Sequence, residues 1–175
     1  MMSYTDAFDR LWTPHRMAYI KGENKPSTAD AGDHCPFCSS PHDPAEESLV
    51  IATGQHVYAV LNRYPYNAGH LLICPFEHLA DYIDLPTGAL AEFTEFTVTA
   101  INVLKEVSRP AGFNIGMNQG GAAGAGIAAH LHQHVVPRWG GDTNFMPVVA
   151  GTRILPELLV QTRELLSQAW SQHAG

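Results

Sequence analysis

The sequence predicts an α+β fold: an antiparallel sheet of about five strands, one long helix and a C-terminal helix. Three observations lead there. Short apolar runs separated by turn residues fill 48–75, and helical periodicity holds over 88–107. Histidines alternate at 130, 132 and 134 in a run that otherwise reads as a strand.

In chain order, residues 1–20 carry Leu11, Trp12, Met17, Tyr19 and Ile20 and read as an arm packed on the domain. Residues 21–47 are polar and rich in Pro, Gly and Ser, hence loop. Strands at 48–52 and 56–61 are joined at Thr53-Gly54-Gln55. A turn over 62–69 leads to a strand at 70–75, stopped by Pro75. These close connections imply an antiparallel meander, with Cys74 in its core.

Thr87 stands where the cap of the next helix belongs. Leu90, Phe93, Phe96, Ala100, Ile101, Leu104 and Val107 then recur at helical spacing, so Phe93 and Phe96 belong to the core. Arg109-Pro110-Ala111-Gly112 breaks the chain before a fourth strand at 113–118, and the histidine run is the fifth. The sequence is turn-like from Trp139 through Asn144. A last helix is expected over 155–171, with Leu155, Leu158, Leu159, Leu165 and Trp170 apolar.

A chain of 175 residues favours one domain over 1–175. It divides into an N-terminal arm and loop (1–47), a core (48–140) and a C-terminal extension (141–175). The net charge of -7 argues against a nucleic-acid polymer as partner, while leaving small nucleotides open. No run of 18 apolar residues exists, so no membrane span is expected. The N-terminal residues lack the pattern of a signal peptide, and a cytoplasmic location is expected. Three cysteines make no disulfide framework.

On an extended strand the imidazoles of His130, His132 and His134 share one face, about 6.6 Å apart. Such a row suits catalysis and metal binding alike. The small-residue loop just upstream, residues 118–126, tilts the reading toward phosphate chemistry, because its backbone can approach a ligand closely. Arg138 and Arg153 are candidate phosphate-binding cations, with Asp142 a rival partner for Arg138.

Cys35-Pro36-Phe37-Cys38 is either half of a structural zinc site or a redox pair. A redox pair should follow a strand and open a helix. Ala31-Gly32-Asp33 before it and Ser39-Ser40-Pro41 after it favour zinc, with His34 and His42 the nearest further ligands.

Taken in order, Asn62-Arg63-Tyr64-Pro65, Gly69-His70, the helix, Asn118 with its Gly-rich loop, and His130-x-His132-x-His134-Val135-Val136 resemble the histidine triad (HIT) family. The resemblance covers about 48–140. Leu11-Trp12-Thr13-Pro14, Tyr64-Pro65-Tyr66-Asn67 and the run from Pro137 to Phe145 narrow it to the bacterial branch that includes diadenosine tetraphosphate phosphorylases, also called ATP adenylyltransferases.

The resemblance implies a HIT-like sheet and a covalent nucleotidyl-histidine on His132, with His134 contacting the phosphate or bridging oxygen. Asn62 matches a ribose-binding position and Asn118 one near the phosphates. Backbone groups from Gly124 through Gly126 to Ile127 line the oxyanion side. At Ile127 many family members carry Ser or Thr; without that hydroxyl, backbone N–H groups or Gln119 take its place. Gln133 stands where an aliphatic residue is usual, facing away from the triad.

Zinc-bearing relatives place ligands at positions matching Cys35, Cys38, His78 and His130, a closed structural Cys₂His₂ set. The implied activity is phosphorolysis of diadenosine tetraphosphate or a similar adenine nucleotide, with inorganic phosphate as second substrate, in a homodimer. A dinucleoside polyphosphate hydrolase and a nucleoside phosphoramidase are the alternatives within the family. A noncatalytic, zinc-stabilised nucleotide-binding module is the alternative of another kind.

Overall fold

In a computed structural model, five strands form one antiparallel sheet in the order β1-β2-β3-β5-β4. The structure describes residues 35–142 and 158–173. The strands are β1 (Val50–Thr53), β2 (Val57–Leu61), β3 (Leu71–Pro75), β4 (Gly112–Met117) and β5 (Gln133–Arg138). The expected meander is β1-β2-β3, and β5 inserts between β3 and β4. The arm at 1–20, His34 and Arg153 lie outside the described residues, as do the expected turn beyond Asp142 and the expected helix start at Leu155.

β2 and β3 are buried throughout because both faces of the sheet are covered there. One face carries the long helix, Thr87–Ser108, whose Phe93, Ala100, Val103 and Leu104 enter the core. Pro86, not Thr87, is its N-cap residue, and no side chain caps it; Thr87 already has helical geometry. The helix ends where Arg109 turns left-handed (φ 47°) just before Pro110, which cannot continue it. The C-terminal helix, Leu159–His173, packs on the long helix and β1 and seats Trp170 against Phe96, ring centroids 5.2 Å apart.

Gln133 points to the helix side, its amide donating to Thr97 Oγ1 at 2.7 Å. By the two-residue alternation of a strand, His134 faces the other way. On that side the segment read as loop forms a one-turn helix, Pro36–Ser39, and a 3₁₀ turn, Ser40–His42.

Candidate functional site

The histidine run is not one strand. β5 begins at Gln133, and His130 to His132 approach it in irregular backbone. Pairing with β3 stops at Ile73–Gln133, and the N–H of Leu131 donates instead to the Leu79 carbonyl at 2.6 Å. The three imidazoles therefore do not share a strand face. His130 turns to the cysteines, while His132 and His134 turn to a cavity.

His130 donates Nε2–H to the Pro75 carbonyl at 2.9 Å, which leaves Nδ1 as the lone-pair nitrogen. That nitrogen lies 3.4 Å from Cys35 Sγ and 3.5 Å from Cys38 Sγ, and His78 Nδ1 lies 3.2 Å from Cys38 Sγ. All four ligand atoms fall within 4.8 Å of one another. Around a tetrahedral zinc, sulfur and nitrogen ligands stand about 3.6 Å apart, by the usual bond lengths. The group fits such an ion in donor type, number and spacing.

Burial raises the Cys38 thiol to about 11, helped by Cys35, and lowers His130 to about 4. A bound cation would reverse the thiol shift by favouring thiolate. His42 is not in this group; the pair opens the one-turn helix Pro36–Ser39, and the segment before Cys35 lies outside the described residues.

His132 donates Nδ1–H to the main-chain carbonyl of His130 at 2.8 Å. Nε2 then keeps its lone pair. Burial lowers the pKa of His132 against the opposing pull of that carbonyl, so the ring is neutral at pH 7.

His134 is oriented by a residue that the sequence reading passed over. His70 is fully buried, and its Nδ1 accepts from the Tyr66 N–H at 3.0 Å and from the Asn62 amide at 3.4 Å. Its Nε2–H therefore donates to His134 Nδ1 at 2.9 Å, and His134 carries its own proton on Nε2. Burial, then His132, lower His134 to about 4, so at pH 7 it is a neutral donor. The sequence signals for His70 were its place in the Gly69-His70 step of the family resemblance and a histidine heading an otherwise apolar strand, neither of which relates it to His134.

The cavity beside these rings has a volume of about 890 Å³. Asn62, Asn118, Gly124, Gly126 and Ile127 all line it with His132 and His134. Gly124 turns with φ 80°, which a side chain would strain, so the loop can bend its backbone toward the cavity. Gln119 is not among the lining residues; its amide donates to Asp81 Oδ1 at 3.3 Å.

Arg138 pairs with Asp142 at 2.6 and 3.0 Å and with Asn114 at 2.6 Å, and it too is absent from the lining. Among the described residues, Arg63 is the single Lys or Arg that lines the cavity. Phe37, Tyr64 and Tyr66 add aromatic rings to the walls. Tyr66 stacks on His134 (centroids 5.6 Å, 19° between planes), and Phe37 lies against His132 (4.7 Å, 36°).

A lone-pair imidazole and a donor imidazole, both neutral and on one cavity wall, can attack an electrophile and hold the charge that develops on it. The family model for the HIT domain matches residues 44–141. An AP-4-A phosphorylase of Mycobacterium tuberculosis (strain H37Rv) is 47% identical over 169 residues, covering 95% of this chain and 87% of that protein.

Among solved structures, a Zn-bound histidine triad family protein from Mycobacterium smegmatis superposes with a TM-score of 0.63 at 29% identity, covering 80% of this chain and 95% of that one. A histidine triad nucleotide-binding protein from Sulfolobus tokodaii gives 0.65 at 24% identity, over 79% and 93% of the two chains, and shows the shared fold.

Proposed function

The chain belongs to the HIT-domain family, and from that premise we propose that it is an enzyme that cleaves diadenosine tetraphosphate by phosphorolysis, with His132 as nucleophile. One observation carries the reading: Nδ1–H of His132 is spent on the His130 carbonyl, so the lone pair sits on Nε2 of a ring that lines the cavity. Nε2 attacks the α-phosphorus; the P–N bond forms as the bond to the bridging oxygen breaks, and ATP departs.

Nε2–H of His134 donates to the phosphate or bridging oxygen as charge gathers there. Inorganic phosphate then attacks the nucleotidyl group, the P–N bond breaks, and ADP leaves. Asn62 holds the ribose hydroxyls, and Asn118 with backbone groups of Gly124, Gly126 and Ile127 holds the phosphates; all line the cavity. The 47% identity to a protein named for phosphorolysis favours phosphate over water as acceptor.

The test is incubation with diadenosine tetraphosphate, with and without phosphate. ATP plus ADP only when phosphate is present is the expected result. ATP plus AMP in water alone means a hydrolase, and intact substrate in both arms overturns the enzyme reading in favour of a nucleotide-binding module.

We further infer that the ion held by Cys35, Cys38, His78 and His130 is zinc, in a structural role. The closed Cys₂His₂ set leaves no position for substrate. We infer a homodimer joined through β4 and the long helix: β4 is an edge strand with Ile115 46% exposed, and the helix bares Val98. Size-exclusion chromatography with light scattering tests this. No helix of the described residues is long and apolar enough to cross a membrane. Three free cysteines suit a reducing compartment, and we assign the protein to the cytoplasm.

A further inference from the structure

Phe37 stands between the two cysteines of the metal-ligating pair, yet its ring reaches into the cavity. It lies against His130 (centroids 5.5 Å, 62°) and against His132 (4.7 Å, 36°). His132 also meets the ring of His134 (5.1 Å, 71°). The His132 imidazole thus contacts two rings, while its Nδ1–H donates to the His130 carbonyl. That bond fixes the tautomer, but alone it leaves the ring free to swing about the bond. The ring contacts restrict that swing.

The backbone of Phe37 is itself tied down. Its carbonyl accepts the hydroxyl of the fully buried Tyr58 at 2.6 Å, and the main chain on either side leads directly to Cys35 and Cys38.

We propose that Phe37 is a positioning residue for His132, and that it couples the metal group to the reactivity of that imidazole. The proposal rests on the nucleotidyl-transfer reading above. In-line attack requires the Nε2 lone pair to point at phosphorus from about 3–3.5 Å, and a displacement of about 1 Å can cost about a hundredfold in rate. A ligated Cys35–Cys38 turn holds the Phe37 ring against His132. Loss of the ion frees the turn and, with it, the Phe37 contact with His132. Phe37 is only half-buried and borders the cavity, so truncating it opens the cavity rather than leaving a sealed void.

The test compares the wild type with Phe37→Ala and Phe37→Tyr, each metal-loaded and chelator-treated. For loaded Phe37→Ala, kcat on diadenosine tetraphosphate is expected to fall about ten- to a hundredfold with KM changed less than about threefold. Metal content should match the wild type, and Phe37→Tyr should keep most of kcat. Chelation should lower kcat in the wild type and add little in Phe37→Ala, because both changes release the same contact.

An independent readout is the ring-proton NMR resonance of His132. Phe37→Ala should shift it by removing the ring current, and chelation should move it further in the wild type than in Phe37→Ala. An unchanged kcat, a rise in KM alone, failure of Phe37→Tyr to retain activity, or additive effects of chelation and substitution would each overturn the proposal. If the wild type cleaves nothing, the transfer reading fails, while the resonance still reports on the Phe37–His132 contact.

Discussion

The Nδ1 of His132 lies 2.8 Å from the main-chain carbonyl oxygen of His130, whose own ring points at two cysteine sulfurs. One residue thus serves two places: its side chain joins the four-residue group that fits a metal ion, and its backbone sets the tautomer of the neighbouring imidazole. The bond makes His132 a lone-pair ring at pH 7. His132→Ala should retain the circular-dichroism spectrum and lose at least about a thousandfold in turnover, the order seen when a nucleophile is removed. Unchanged release of ADP from the dinucleotide, followed by chromatography, would exclude His132 as nucleophile.

The hydrogen bond from His70 Nε2 to His134 Nδ1 fixes which nitrogen of His134 carries the proton. His70→Phe keeps an aromatic ring, slightly enlarged, and removes the donor. The part-buried bonds from the Tyr66 N–H and to His134 Nδ1 are then lost, at a cost of about 1 kcal/mol in stability. Turnover should fall about tenfold to a hundredfold, because a supporting hydrogen bond to a working histidine is lost. Stopped-flow measurement of the first turnover and a thermal melt separate the two effects.

Burial holds His134 at about 4 against an ordinary value of 6.5. Between those values the unfolded chain binds more protons than the folded one, so stability rises with pH across the interval. Stability should fall by of order 1–3 kcal/mol for this ring as pH drops from about 6.5 toward 4, read as a lower melting temperature. His134→Asn should lessen that slope, leaving the share of His130 and His132, whose burial shifts have the same sign; an equally steep slope in the variant would assign the pH dependence to those groups.

Cys35→Ser should lower bound metal below one ion per chain and destabilise the protein by several kcal/mol, since binding at a structural site adds directly to folding stability. Elemental analysis and a thermal melt measure both. A metal-free wild type of full stability would remove the metal from the account.

The secondary structure was legible in local pattern. The helix at Thr87–Ser108 follows from apolar spacing that only a helical period brings to one face, and β3 ends where Pro75 ends it. The ligand positions 35, 38, 78 and 130 came from resemblance. Spacing alone pointed to His34 and His42, because nothing local relates Cys35 to a ring 95 positions on.

The alternation of His130, His132 and His134 was legible too, but its meaning was not. Period-two patterning places three imidazoles together only if the strand continues, and whether it continues depends on what pairs beside it. Here Leu79 takes the N–H of Leu131, so β5 starts late and His130 is released to the cysteines. The sequence by itself determined the elements, the charge and the chemical repertoire. Only the tertiary structure decided the division of labour: His70 became the support of His134, Phe37 the flank of His132, and Arg138 a partner of Asp142 away from the cavity. Hydrogen bonds and ring contacts between segments far apart in the chain are set by packing, which no local pattern encodes.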